Sequence, residues 1–151
     1  YEKKEIIDTS ESIEESKENV TLLEINSASK DDLISLNGIG EFYAKQIVRY
    51  RDELGGSSFK EQLLEVWKMR LETYEKVLPQ ICFDSVKIKQ ININDCSIEV
   101  LKRHPYLDYY QANSIVKMRI QKGSFMELDE LMESKLIDEE EYKRIFPYVR
   151  L

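Results

Sequence analysis

Sliding this sequence against itself by 68 residues aligns 25–81 with 93–149 without a gap, and fourteen positions are identical. They are Ile25/Ile93, Asn26/Asn94, Ser29/Ser97, Leu33/Leu101, Ala44/Ala112, Ile47/Ile115, Val48/Val116, Arg51/Arg119, Gly55/Gly123, Leu63/Leu131, Glu65/Glu133, Glu72/Glu140, Tyr74/Tyr142 and Pro79/Pro147. A fixed period of this kind marks copies of one supersecondary unit. The matched apolar positions recur at helical spacing and so face inward. Four segments follow: a tail (1–24), a first unit (25–81), a linker (82–92) and a second unit (93–151).

Start and stop signals divide each unit into four helices. Ser29 with Asp32 resembles a capping box, with Asp in place of the usual Glu, and opens a helix that ends at Asn37-Gly38. A second helix spans about 41–53 and stops at Gly55-Gly56. A third covers about 60–67, and a fourth about 71–78, before Pro79. Unit two repeats them near 97–103, 109–121, 127–133 and 139–146, with Ser124 and Glu127 as a further expected capping box. The linker alternates around Val86, Ile88 and Ile91 and reads as a short extended crossing. The fold class expected is all-α.

Between the first two helices lies Gly38-Ile39-Gly40. Glycines allow positive φ and close approach to the backbone. Before a helix they also bare amides that have no intrahelical partner, and such an end attracts phosphate. The step recurs in weakened form. Lys68-Met69-Arg70, Tyr106-Leu107-Asp108 and Leu136-Ile137-Asp138 occupy the equivalent places. The central apolar residue persists four times, as a core plug, whereas the flanking glycines survive once. Asp108 and Asp138 put carboxylates where a phosphate would dock.

Ile25-Asn26-Ser27-Ala28-Ser29, Leu33, Leu36, Gly38-Ile39-Gly40, Ala44, Ile47 and Arg51 sit where helix-hairpin-helix proteins have them. The segment resembles the ComEA-like branch of that family, the extracytoplasmic DNA receptors of bacterial uptake systems and their relatives. The resemblance implies two tandem (helix-hairpin-helix)2-like units, each a SAM-domain-like orthogonal bundle. It also implies low-specificity contact with duplex DNA through hairpin backbone. An extracytoplasmic or membrane-anchored location rests on that resemblance alone.

Net charge is −7, but residues 1–24 hold eight acids against three lysines, net −5. Unit one is net −1, the linker +1 and unit two −2. The acidic excess belongs mainly to the tail, read as mobile or as a frayed helix. A pI near 4.9 argues against tight non-specific DNA binding, which needs a basic face, but leaves room for a local patch. No apolar run approaches a membrane span of about 20 residues, so this segment offers no membrane contact. Starting at Tyr1 rather than Met reads as processing or trimming. Cys96 matches Ala28 and reads as a buried thiol, with a bond to Cys82 open in an oxidising compartment.

Candidate DNA-binding residues are Gly38, Ile39 and Gly40, with Lys45 and Arg49 on one face of the second helix and Lys68 and Arg70 flanking the second hairpin tip. Each has a plain alternative: a geometric turn, a solvated face, exposed turn residues. Glu41, at the same helix start, disfavours an anion. Arg51, with its twin Arg119, reads as structural. Tyr106, Tyr109 and Tyr110 read as filling between the units, or as a partner surface. His104 is the single histidine, so a zinc site is not expected, and no catalytic pair or cofactor motif stands out. The leading expectation is a non-enzymatic duplex DNA-binding module without metal or cofactor. The rival is a protein-interaction or assembly module that kept the fold and lost DNA chemistry.

Overall fold

The computed structural model describes residues 21–151. The expected tail lies largely outside these residues; its last two, Leu23 and Glu24, form a strand. The element order is β1 (Leu23–Glu24), α1 (Lys30–Ile34), α2 (Glu41–Leu54), a 3₁₀ helix (Lys60–Glu65), α3 (Leu71–Val77), a 3₁₀ turn (Leu78–Gln80) and β2 (Ile81–Cys82), and the linker, expected to be extended, holds a further 3₁₀ turn (Ser85–Lys87). The second unit repeats it: β3 (Ile91–Asn92), α4 (Ile98–Lys102), α5 (Tyr109–Lys122), a 3₁₀ helix (Leu128–Glu133), α6 (Glu139–Ile145) and β4 (Val149–Arg150).

The chain is mostly helical, as its periodicity predicts, with three corrections. Each unit is closed by a two-residue parallel strand pair that an all-α reading omits. β1 pairs with β2 (Leu23 opposite Ile81), and β3 with β4 (Ile91 opposite Val149). Strands this short leave no alternating pattern to detect. Secondly, the third helix of each unit is 3₁₀, a geometry confined to short connectors. Thirdly, the Ser124–Glu127 box does not form. Glu127 is itself the N-cap residue, with no side-chain cap bond, and Glu130 accepts the Met126 amide at 3.0 Å instead. Gln62 does the matching job in unit one, accepting the Ser58 and Phe59 amides at 2.6 and 3.1 Å.

Identities across the repeat mark side chains that tie distant backbone together. Arg51 Nη1 donates to the Ile25 and Ala28 carbonyls at 3.0 and 2.6 Å; Arg119 Nη1 donates to those of Ile93 and Cys96 at the same distances. Asn26 clamps Ser57 through both its amide and carbonyl groups, and Asn94 clamps Phe125 likewise. The Ser29–Asp32 capping box forms as expected. Glu24 accepts from Ser27, the Asn26 and Asp84 amides and Lys87. Burial raises its pKa, but these donors outweigh burial and hold it at about 2.

Each unit has its own core, yet the two are not independent. Leu54, at the end of α2, is buried in the second core, with Tyr50 and Ile88 packed against it. The linker crosses this junction closely: the Lys89 amide donates to the Gly55 carbonyl at 2.8 Å. Gly55 has φ +91, and a Cβ there would lie 2.8 Å from the Lys89 carbonyl oxygen. Gly55→Ala therefore combines a left-handed penalty with a backbone clash. A loss of about 2 kcal/mol or more is expected in denaturant unfolding, and an unchanged midpoint would contradict it.

A polar cluster completes the junction. Gln62 is 1% exposed and donates Nε2 to the hydroxyls of Tyr148 (2.7 Å) and Tyr106 (2.9 Å). Tyr148 donates to the Gly56 carbonyl at 2.7 Å, and Tyr106 to Glu65 at 2.7 Å. His104 is buried against this cluster, its ring 4.7 Å from that of Tyr148. Its Nδ1 accepts the Tyr106 amide (3.1 Å), so Nε2 carries the hydrogen given to the Leu54 carbonyl (2.9 Å).

Candidate nucleic-acid interface

The four hairpins share one turn. In each, the amide of the central apolar residue donates to the carbonyl three residues earlier: Ile39 to Leu36, Met69 to Val66, Leu107 to His104 and Ile137 to Ser134, at 2.9–3.2 Å. Ile39, Leu107 and Ile137 are buried, and Met69 packs partly buried on the first core. Ile39 must therefore be corrected as a contact residue. Its side chain lies in the core and its amide is already used, so its part is packing.

The tip residue separates unit one from unit two. Gly38 has φ +98, and Lys68 adopts φ +59, the one non-glycine with positive φ among the described residues. Lys68 thus copies the left-handed tip of Gly38 at a cost that glycine avoids. Lys68→Gly is expected to raise stability by about 0.5–1 kcal/mol in thermal unfolding; a lower midpoint would contradict the strain.

The helix starts separate the units further. In unit two, Asp108 caps α5 by accepting the Gln111 amide at 2.8 Å, and Asp138 caps α6 through the Glu141 amide at 2.8 Å. Each closes a full capping box, Asp108 with Gln111 and Asp138 with Glu141. Those aspartates do more than repel an anion: they occupy the amides. In unit one, α2 begins at Gly40 with no side-chain cap. Neither Gly38 nor Gly40 donates its amide to an acceptor among the described residues. Gly40 has φ −94 and ψ −179, extended backbone that any residue adopts. A Cβ built on it would meet no atom within 4 Å. The space beside Gly40 is therefore open, at the positive end of a 14-residue helix. The Glu41 carboxylate bonds Lys30 Nζ at 3.1 Å, which offsets part of its charge.

Hairpin one is held from behind by residues that sequence spacing did not single out. Gln80 accepts the Asn37 amide at 3.0 Å and donates to the Asn37 carbonyl at 2.9 Å. The Lys76 stem packs over Gly38, its Cδ 2.9 Å from where a Cβ would sit. Gln80 is matched by Tyr148 in the repeat, so no identity signalled it.

The two hairpins of unit one lie side by side. Tyr43 donates to the Lys68 carbonyl at 3.2 Å, and the Phe42 ring lies 5.8 Å from that of Trp67. Lys68 Nζ sits 4.5 Å from the Trp67 ring centre. Lys45 and Arg70 are exposed and form no salt bridge among the described residues. Arg49 pairs with Glu53 at 3.0 Å, but both are exposed, where such pairs are worth under about 1 kcal/mol. Arg49 also lines an open pocket with Gln46, Tyr50, Glu53, Glu65 and Trp67.

The tyrosine group divides. Tyr106 goes between the units, with Arg144 4.2 Å over its ring. Tyr109 and Tyr110 stay exposed, 5.7 Å apart, and do not fill that space. Cys82 and Cys96 are both free thiols, and burial raises the pKa of Cys96.

The helix-hairpin-helix motif matches residues 18–82 and again 86–150. The chain belongs to the helix-hairpin-helix family. Motifs of this family are commonly non-sequence-specific DNA binders and typically non-catalytic modules. The chain is also similar to the Endonuclease/exonuclease/phosphatase family domain-containing protein 1 of Xenopus laevis, 25% identical over 131 residues (73% of this chain, 24% of that protein). The protein of the same name from Danio rerio is 32% identical over 85 residues (56% and 15%). The chain thus spans a quarter or less of these curated relatives. No solved structure matches it. Among the described residues no helix is long and apolar enough to cross a membrane, and no group of three His, Cys, Asp or Glu is placed to hold a metal ion.

Proposed function

We propose that this helix-hairpin-helix chain is a non-catalytic module that binds the phosphate backbone of duplex DNA through hairpin one, without sequence preference. One contrast carries the reading: α2 starts at an uncapped Gly40 facing open space, whereas the equivalent helix starts of unit two are capped by Asp108 and Asp138. The amides of Gly38 and Gly40 would meet a phosphate, Lys45 and Arg49 its neighbours, and Lys68 and Arg70 the strand opposite. Backbone contacts of this kind position a protein without reading bases. Unit two serves as a docked structural copy. A role near DNA uptake, in a ComEA-like protein, extends the proposal and rests on the resemblance of residues 25–51 alone.

Titration of a fluorescent duplex at low and moderate salt tests this. Binding should weaken with salt, with a log–log slope of about −0.9 per phosphate contacted. No binding of the folded chain at low salt would overturn it. A second reading, a protein-interaction module, is favoured by exposed Tyr109 and Tyr110 at the start of α5. It gains if duplex binding is absent.

A further inference from the structure

Two aromatic side chains beside hairpin one, Phe42 and Trp67, stand outside both cores. Trp67 is 60% exposed and Phe42 46%. Apolar rings left in water next to a cluster of cations need an occupant that is flat, apolar on its face and negatively charged at its edge. An unpaired nucleobase with its phosphate has that chemistry, and aromatic platforms flanked by basic side chains are how proteins hold single strands.

We infer that Trp67, with Phe42, forms a stacking platform for an unpaired base next to the duplex held by hairpin one, so that the preferred ligand is DNA with a single-stranded extension. The geometry is continuous with the phosphate site. Phe42 sits in the first turn of α2, two residues after Gly40, and its ring is 5.8 Å from Trp67 at an angle of 50°. Trp67 also walls the open pocket of about 400 Å³ that Arg49, Gln46 and Tyr50 share with the carboxylates of Glu53 and Glu65, so a phosphate there has to draw Arg49 from its 3.0 Å pairing with Glu53. Gln46 offers amide groups to a base edge, and Arg49 a guanidinium to a phosphate. Lys68, 4.5 Å from the Trp67 ring centre, can exchange that ring for the phosphate of the stacked nucleotide. In unit two the counterpart of Phe42 is Tyr110 but that of Trp67 is Lys135, so the Phe42–Trp67 pair is not repeated. This inference rests on the duplex-phosphate reading of hairpin one.

Trp67 is the sole tryptophan, so its emission reports the site directly. The experiment compares a blunt duplex, the same duplex with a short single-stranded overhang, and the same overhang made abasic, at low salt. The overhang with bases should bind about tenfold more tightly than the abasic one and quench Trp67 emission. Trp67→Ala should bring the two overhang affinities together, and Trp67→Phe should restore part of the difference. Equal affinity for both overhangs with the wild type, or a base preference that survives Trp67→Ala, would overturn the inference while blunt-duplex binding keeps the phosphate reading. Failure of every duplex to bind would overturn both.

Discussion

Gly40→Asp should abolish duplex binding, by at least about tenfold at low salt, while leaving the fold as stable as before or slightly more so. The expectation comes from unit two. Asp108 (φ −88, ψ 176) and Asp138 (φ −82, ψ 179) have almost the backbone of Gly40 (φ −94, ψ −179), and both cap their helices. A Cβ at position 40 meets no atom within 4 Å, so an aspartate there has room to turn its carboxylate back onto the α2 amides. As a cap it is better than glycine by a few tenths of a kcal/mol, and the helix dipole favours it further. The same carboxylate fills the phosphate position and adds a negative charge there. Binding and stability should therefore move in opposite directions, which a merely damaged fold cannot produce. Gly38→Ala is the contrasting variant. It places a side chain at φ +98 against Lys76 and should cost stability of about 1 kcal/mol. Duplex binding by Gly40→Asp equal to wild type, with the melting temperature unchanged, would show that the open helix start is not the phosphate site.

The second large effect is acid sensitivity at the junction between the units. His104 is 4% exposed, and burial lowers its pKa to about 4, against a smaller upward pull from the Leu54 carbonyl. The unfolded chain keeps the ordinary value of about 6.5. Below 6.5 the unfolded state takes up a proton that the folded state refuses until about 4. The His104 contribution is full above pH 6.5, falls between 6.5 and 4, and is spent below. A shift of this size corresponds to about 3 kcal/mol. Glu24, whose pKa is lowered to about 2 from 4.5, removes stability as pH falls between those values, almost wholly below the histidine window. Urea unfolding at pH 7, 5.5 and 4.5 resolves the histidine part. In His104→Gln the loss between pH 6.5 and 4.5 should shrink markedly, whatever the variant's stability at pH 7. An equal pH dependence in both proteins would mean that His104 is not the titrating group.

Much of the fold is legible in the sequence because it is written within single elements. The 68-residue period marks the duplicated unit, Ser29 and Asp32 mark the first helix start, and Gly55 marks the end of α2. The identical Arg51 and Arg119 announce a structural clamp, and both make it. Elsewhere short-range spacing is ambiguous. Ser124 and Glu127 have the capping-box pattern, but Glu130 reaches the Met126 amide first. The strand pairs are two residues long and join positions 58 apart, which no local pattern records.

The candidate site divides along the same line. The sequence by itself determined where four hairpins fall, which apolar residue plugs each, and that one alone keeps both glycines. The folded structure decided that Asp108 and Asp138 close their helix starts while Gly40 leaves one open, and that Lys68 takes a left-handed tip, although each of these is a local geometry. It also decided that Gln80 and Lys76 back hairpin one, that Trp67 meets Phe42, and that His104, Tyr106 and Tyr148 are spent on docking the units. Periodicity and caps arise from residues three to seven apart on one element, whose geometry is nearly constant. The contacts that back hairpin one, join Trp67 to Phe42 and dock the units reach across 25 to 92 positions, and they exist only once two packed cores have fixed how their elements meet.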